Sequence, residues 1–110
     1  MEEIIFKIQG SAPETYVTTF KKDGANFTAT CTCPAGEVGQ YCKHRIRIIE
    51  GSVEGIVSRN EEEVKRVVSW LPGTDVEKAL SEVRAAEGRL EAAKKELSAL
   101  KKKLARVLQN

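Results

Sequence analysis

Along this chain the hydrophobic pattern changes period, and each change marks an element. "EIIFKIQ" (residues 3–9) and "TYVTTFKK" (15–22) are rich in β-branched and aromatic residues with turn residues between them, which predicts two strands. Asp23-Gly24, inside "KKDGAN", is a hairpin signal that leads into a third strand, "FTATCTC" (27–33). A loop with Pro34, Gly36 and Gly39 follows, then "KHRIRIIE" (43–50), a short helix stopped at Gly51. "GSVEGIVS" (51–58) reads as strand or loop. The period then becomes helical. Val64, Val67, Val68 and Leu71 share one face, Asn60 with Glu63 forms a capping pair, and Pro72-Gly73 ends the helix. Thr74 with Glu77 repeats the capping device, and no proline interrupts the segment that follows.

That last segment carries heptads. Position a falls at Val76, Val83, Leu90, Leu97 and Leu104, and position d at Ala79, Ala86, Ala93, Leu100 and Val107. Five heptads without a polar residue at a or d predict a coiled-coil helix, on the order of 50 Å long at ~1.5 Å per residue. Gly88 lies at the outward f position and leaves the seam intact. The expected partner is a second copy, joined through Val76, Val83, Leu90, Leu97, Leu100, Leu104 and Val107. An antiparallel homodimer is favoured, because a large residue then meets an alanine in three of the layers and the flanking charges attract. Such a dimer carries one N-terminal domain at each end. The fold class is therefore α+β: a small antiparallel sheet with a short helix, a second helix, and a long coiled-coil helix, divided as 1–73 and 74–110.

Composition narrows the class. At 110 residues the chain holds one ordinary domain or a smaller one with an appendage, so a metal staple would add usefully to a modest core. No apolar run reaches membrane-spanning length, and "MEEIIFKIQG" is acidic and then strand-like rather than a secretory leader. The expectation is a soluble cytoplasmic protein with no membrane contact. The net charge of +2 is too small to announce a nucleic-acid binder. It is spread unevenly, with nine Lys/Arg against ten Asp/Glu in residues 1–74 and nine against six in 75–110.

The chemistry is concentrated in "CTCPAGEVGQYCKH". All three cysteines and the single histidine of the chain lie there, as Cys31, Cys33, Cys42 and His44. Thiolates and imidazole are the preferred ligands of tetrahedral zinc, Zn(2+). Residues i and i+2 of a strand share a face, so Cys31 and Cys33 can bind one ion. Cys42 and His44 cannot do so from within a regular helix. Cys42 must precede it and His44 lie in its first turn, with the free amides of the helix start aimed at the thiolate. Four protein ligands leave no open position, which predicts a structural site and no enzyme. An odd number of cysteines argues against a disulfide framework. A Cys42–His44 nucleophile lacks a third, orienting group. An iron–sulfur cluster of the CDGSH type would place the histidine four residues after the last cysteine rather than two.

The pattern Cys-x-Cys, spacer, Cys-x-His resembles the SWIM zinc finger, over roughly residues 16–50, and "YCKHRIRII" is similar to that family's cysteine-lysine-histidine followed by an apolar helix. Arg45 and Arg47 depart from it, since that helix usually reads more apolar. The resemblance implies a non-catalytic module on a strand–strand–helix frame, of the kind found in proteins that handle DNA or assemble signalling complexes.

Two partner classes stay open. Lys43, Arg45 and Arg47, with Lys21 and Lys22 on the hairpin and "KKK" at 101–103, could form a phosphate-binding surface for DNA or accompany a DNA-handling protein. Alternatively these cations only offset the net negative charge of three thiolates around Zn²⁺, and the chain is a pure protein-interaction scaffold. Tyr41 is the aromatic beside the metal loop, and Trp70 is expected to pack the second helix onto the strands. No small-molecule substrate is expected.

Overall fold

The computed structural model describes residues 1–109. It contains two compact units, Met1–Glu77 and a second that begins at Lys78. In the first, β1 (Glu2–Ile8), β2 (Tyr16–Asp23) and β3 (Asn26–Cys31) form an antiparallel sheet in the order β1-β2-β3. The two-residue alternation sorts its side chains. Ile4, Phe6 and Ile8, then Thr18 and Phe20, then Phe27 and Cys31 are buried. Phe20 meets Phe6 edge-on at 5.8 Å and Phe27 at 6.3 Å. The hairpin turns through Gly24 and Ala25, between the paired residues Asp23 and Asn26. Gly24 takes a φ of 59° at the first turn position, where a side chain would be strained.

Helices cover the buried face. The order is α1 (Pro34–Glu37), α2 (Lys43–Ile49), a 3₁₀ turn at Glu61–Glu63 and α3 (Val64–Ser69). Ile48, Ile49, Val64 and Val67 are buried, and Trp70 stands edge-on to Phe27 at 6.1 Å, joining the end of α3 to the sheet as expected. Arg66 bonds Glu2 of β1 and lies over the Trp70 ring at 5.8 Å.

Three details differ from the sequence reading, and one alternative that it left open closes. The third strand ends at Cys31 instead of Cys33, and one turn of helix replaces the loop after it. The ambiguous segment 51–58 is a loop lying along the outer edge of β1: Ile56 bridges Ile8, while Gln9 and Val57 exchange backbone bonds with Gly55 and Lys7. That cover protects an otherwise open sheet edge. Asn60 does not cap α3 with its side chain. Its Nδ2 donates to the Ile5 carbonyl at 2.9 Å and its Oδ1 accepts from Ser58, so an edge-binding role displaced the cap. The helix after it ends at Ser69, with Trp70 rather than Leu71 as its anchor.

The second capping pair forms. Thr74 Oγ1 accepts from the Glu77 N–H at 3.3 Å, and Glu77 Oε1 accepts from the Gly73 N–H at 3.1 Å. From it runs α4 (Asp75–Leu108), 34 residues of unbroken helix. Leu80, at an e position outside the expected seam, is buried, whereas the seam from Val83 to Val107 is exposed. Among the described residues no helix is long and apolar enough to cross a membrane.

Phe20, with no exposed surface, joins the aromatic neighbours of all three strands. Replacing it with alanine leaves a cavity that the sheet cannot close, and Phe20→Ala is expected to cost ~3–5 kcal/mol in denaturant unfolding of the zinc-loaded protein.

Candidate metal centre

Cys31 is the last residue of β3, opposite Thr18 of β2. One residue on, the Thr32 N–H donates to the Val17 carbonyl at 3.1 Å and Thr32 Oγ1 accepts from the Val17 N–H at 2.9 Å. These bonds keep the chain extended and bring Cys33 to the side of Cys31, although Cys33 lies outside the strand. Cys33 then caps α1, its Sγ accepting from the Gly36 N–H at 3.3 Å, with Pro34 opening the helix. The turn folds back so tightly that a Cβ at Gly36 would sit 2.4 Å from the Cys31 carbonyl oxygen. Only glycine allows that approach. Cys42 is extended and immediately precedes α2, and His44 is in its first turn, as the spacing required.

The four donor atoms, three Sγ and a ring nitrogen of His44, all lie within 4.8 Å of one another, on residues that are all buried. Cys33 and Cys42 Sγ are 3.3 Å apart, and His44 Nδ1 is 3.6 Å from Cys42 Sγ and 3.8 Å from Cys31 Sγ. Tetrahedral zinc with ~2.3 Å bonds sets its sulfurs about 3.8 Å apart, so the cluster has the size of the ion's coordination sphere. Nδ1 is the inward nitrogen.

The surroundings suit thiolate ligands. Burial pushes the Cys31 thiol up to about 11, against the Cys33 N–H and the Thr18 hydroxyl that bond its sulfur. Burial also acts to raise Cys42, but amide donation from Arg45, the neighbouring Cys33 and Cys31 thiols and the His44 N–H together carry it below its ordinary value. Burial, then Lys43 and Arg47, lower His44, which keeps the imidazole neutral and able to bind metal.

Sequence reasoning missed three of the supporting groups. Thr18, fully buried, donates from Oγ1 to Cys31 Sγ at 3.6 Å. Its signal was a polar residue at an inward position of a strand. The Tyr16 ring lies 5.1 Å from that of His44, and the absent side chain of Gly10 makes room for both. An open cleft of about 470 Å³ adjoins the ligands, lined by Ser11, Tyr16, Ala35, Tyr41, Lys43 and His44.

The expected basic residues are dispersed. Arg45 bridges two backbone carbonyls, Ala29 in β3 at 3.3 Å and Gln40 in the metal loop at 2.5 Å, which explains a cation at a usually apolar helix position. Arg47 faces Glu54 at 4.0 Å. The sheet register puts Lys21 and Lys22 three and four residues along β2 from Thr18, roughly 10–13 Å toward the hairpin tip and away from the ligands. Lys21 pairs with Glu3, and Lys22 bonds the Gly24 carbonyl. Lys43 is exposed at the cleft.

Groups that bond a ligand atom fix its orientation and charge, and their loss commonly costs about 10–100-fold in metal affinity. Thr18→Val, which removes the hydroxyl but keeps the shape, is expected to weaken zinc about tenfold in competition with a chromogenic chelator, while Thr18→Ser retains wild-type affinity.

Comparison with known proteins agrees with this geometry. The family model of the SWIM zinc finger matches residues 16–50. Among curated proteins and among solved structures, none matches the chain. The match spans β2 to the end of α2 and encloses all four ligands, a Cys₃His set suited to Zn²⁺, so this part of the chain is similar to the SWIM zinc finger in both sequence and ligand geometry.

Proposed function

We propose that the chain is a non-catalytic binding module of the cytoplasm, an adaptor whose finger engages a macromolecular partner and whose C-terminal helix joins two copies. The observation that carries this reading is the completeness of the ligand set. Four buried protein donors fill a tetrahedral zinc, leaving no position at which water or substrate could be activated. Function then falls to the surfaces that the zinc holds in place.

The partner of the finger is best read as protein. Arg45, Arg47, Lys21 and Lys22, four of the five candidate phosphate contacts near the finger, are turned to carbonyls or carboxylates of the chain itself. A second reading, contact with nucleic acid, is favoured by Lys43 and the 63% exposed Tyr41 at the mouth of the cleft, a cation beside a ring on which a base could stack. Salt separates the two. If phosphate is bound, affinity for generic duplex DNA falls steeply with salt, and Lys43→Ala lowers the slope by about 0.9. Under the protein reading, which we favour, DNA binding is weak and Lys43→Ala leaves it unchanged.

Zinc and folding are coupled, since the ligands have no common site in the open chain. Cys31→Ser or His44→Ala is expected to release zinc and unfold residues 16–50, read by elemental analysis and by amide exchange. A protein whose finger stays protected after chelation would contradict this. Zinc must also displace the proton held by Cys31, whose thiol is protonated up to about 11. Apparent affinity should therefore rise between about pH 6 and about pH 8, by about tenfold per pH unit for each proton displaced. His44, lowered from its ordinary value, competes for a proton only toward the acid end.

A further inference from the structure

We infer that α4 pairs with α4 of a second copy, antiparallel, in the register that sets Leu90 against Ala93. This rests on the reading of the chain as a self-associating module, to which it adds orientation and register.

The seam residues Val83, Leu90, Leu97, Leu100, Leu104 and Val107 are between 37% and 59% exposed. They form one continuous apolar stripe, and its composition is graded. Position d is alanine at residues 79, 86 and 93, then leucine at 100 and valine at 107. A parallel copy would lay the alanines on their own counterparts and leave three thin layers. An antiparallel copy reverses the gradient. It opposes Val83 to Leu100, Leu90 to Ala93, Leu97 to Ala86 and Leu104 to Ala79, which evens the layer volumes. The outermost layer would use Val76, which is half-buried, so the other four distinct layers, built wholly from exposed residues, carry the pairing.

Charge gives an independent argument. Residues 75–91 hold five acids and three bases, whereas 92–109 hold one acid and six bases. The helix dipole accounts for such segregation only within the first and last turns. Here it extends through Glu82, Glu87, Lys94 and Lys95. In the antiparallel register Glu82 faces Lys103, Arg89 faces Glu96 and Glu87 faces Lys94, each twice by two-fold symmetry. In a parallel pair Glu82 meets Glu87 and Arg89 meets Lys94, and only Glu96 with Lys101 attracts. Sliding the antiparallel pair by a heptad preserves leucine–alanine layers but not the flanks. One direction opposes Glu82 to Glu96 and sets Arg89 and Glu87 against their own copies. The other opposes Arg89 to Lys103 and sets Glu96 and Lys94 against theirs. One register satisfies both core and flanks.

The test uses the full-length, zinc-loaded protein. Ala86→Cys and Leu97→Cys variants are made separately, treated with a short bismaleimide alone and then mixed, with the parent protein as background. In the inferred register residue 86 of one copy faces residue 97 of the other, and each lies roughly 16 Å along the helix from its own counterpart. Crosslinking should appear only in the mixture. A monomer at all concentrations overturns self-association itself. A dimer whose single variants link to themselves is parallel and overturns the orientation, and a dimer that links in neither case overturns the register. Substitutions that leave the seam intact give a second readout. Glu82→Lys should raise the dimer dissociation constant roughly tenfold, and adding Lys103→Glu should restore it. Tighter association on Glu82→Lys would indicate the parallel pair or the shifted register that opposes Glu82 to Glu96, and either overturns the inference.

Discussion

Cys31 and Cys33 arrive from the sheet, Cys42 and His44 from the start of α2, and their donor atoms meet within 4.8 Å. That convergence fixes how the two layers of the N-terminal unit sit on each other. Fewer than eighty residues build a core of limited size, whereas structural zinc in small modules contributes about 10 kcal/mol or more of folding free energy. The aromatic contacts of Phe6, Phe20, Phe27 and Trp70 stabilise the far end of the same sheet. The metal and the aromatic cluster thus hold the two ends of one buried face, with Thr18 and Phe20 as successive inward residues between them.

Much of the local backbone follows from that requirement. Thr32 extends the chain past β3, Gly36 lets α1 fold over Cys31, and Arg45 ties Ala29 to Gln40 so that the loop between the cysteine pairs cannot splay. The Thr18 hydroxyl and the amides of Cys33, Gly36, His44 and Arg45 are directed at sulfur. Together they distribute the charge of three thiolates around one dication. This is why the arginines of α2 can serve as backbone clamps and surface partners.

The ligands were legible because their spacing is local: Cys-x-Cys needs extended backbone, and Cys-x-His needs a helix start between its members. The order of the strands and of the longer helices was legible from period together with turn and capping residues, whereas the single turn of α1 was not. What escaped was decided by partners distant in sequence. Asn60 reads as a helix cap until Ile5, 55 residues earlier, takes its side chain. Lys21 and Lys22 seem close to the metal until the strand register places them toward the hairpin tip. Thr18 was visible only as a polar interruption in an apolar alternation. It gains meaning once β2 is laid beside Cys31.

Four donors of the chain are placed to complete the coordination of one metal by themselves. X-ray absorption at the zinc edge of the purified protein measures this directly. Three sulfurs at ~2.3 Å and one nitrogen at ~2.0 Å, with no oxygen donor, are the expected result. An oxygen in the coordination sphere, or fewer than three sulfurs, would mean an open site and contradict a purely structural role.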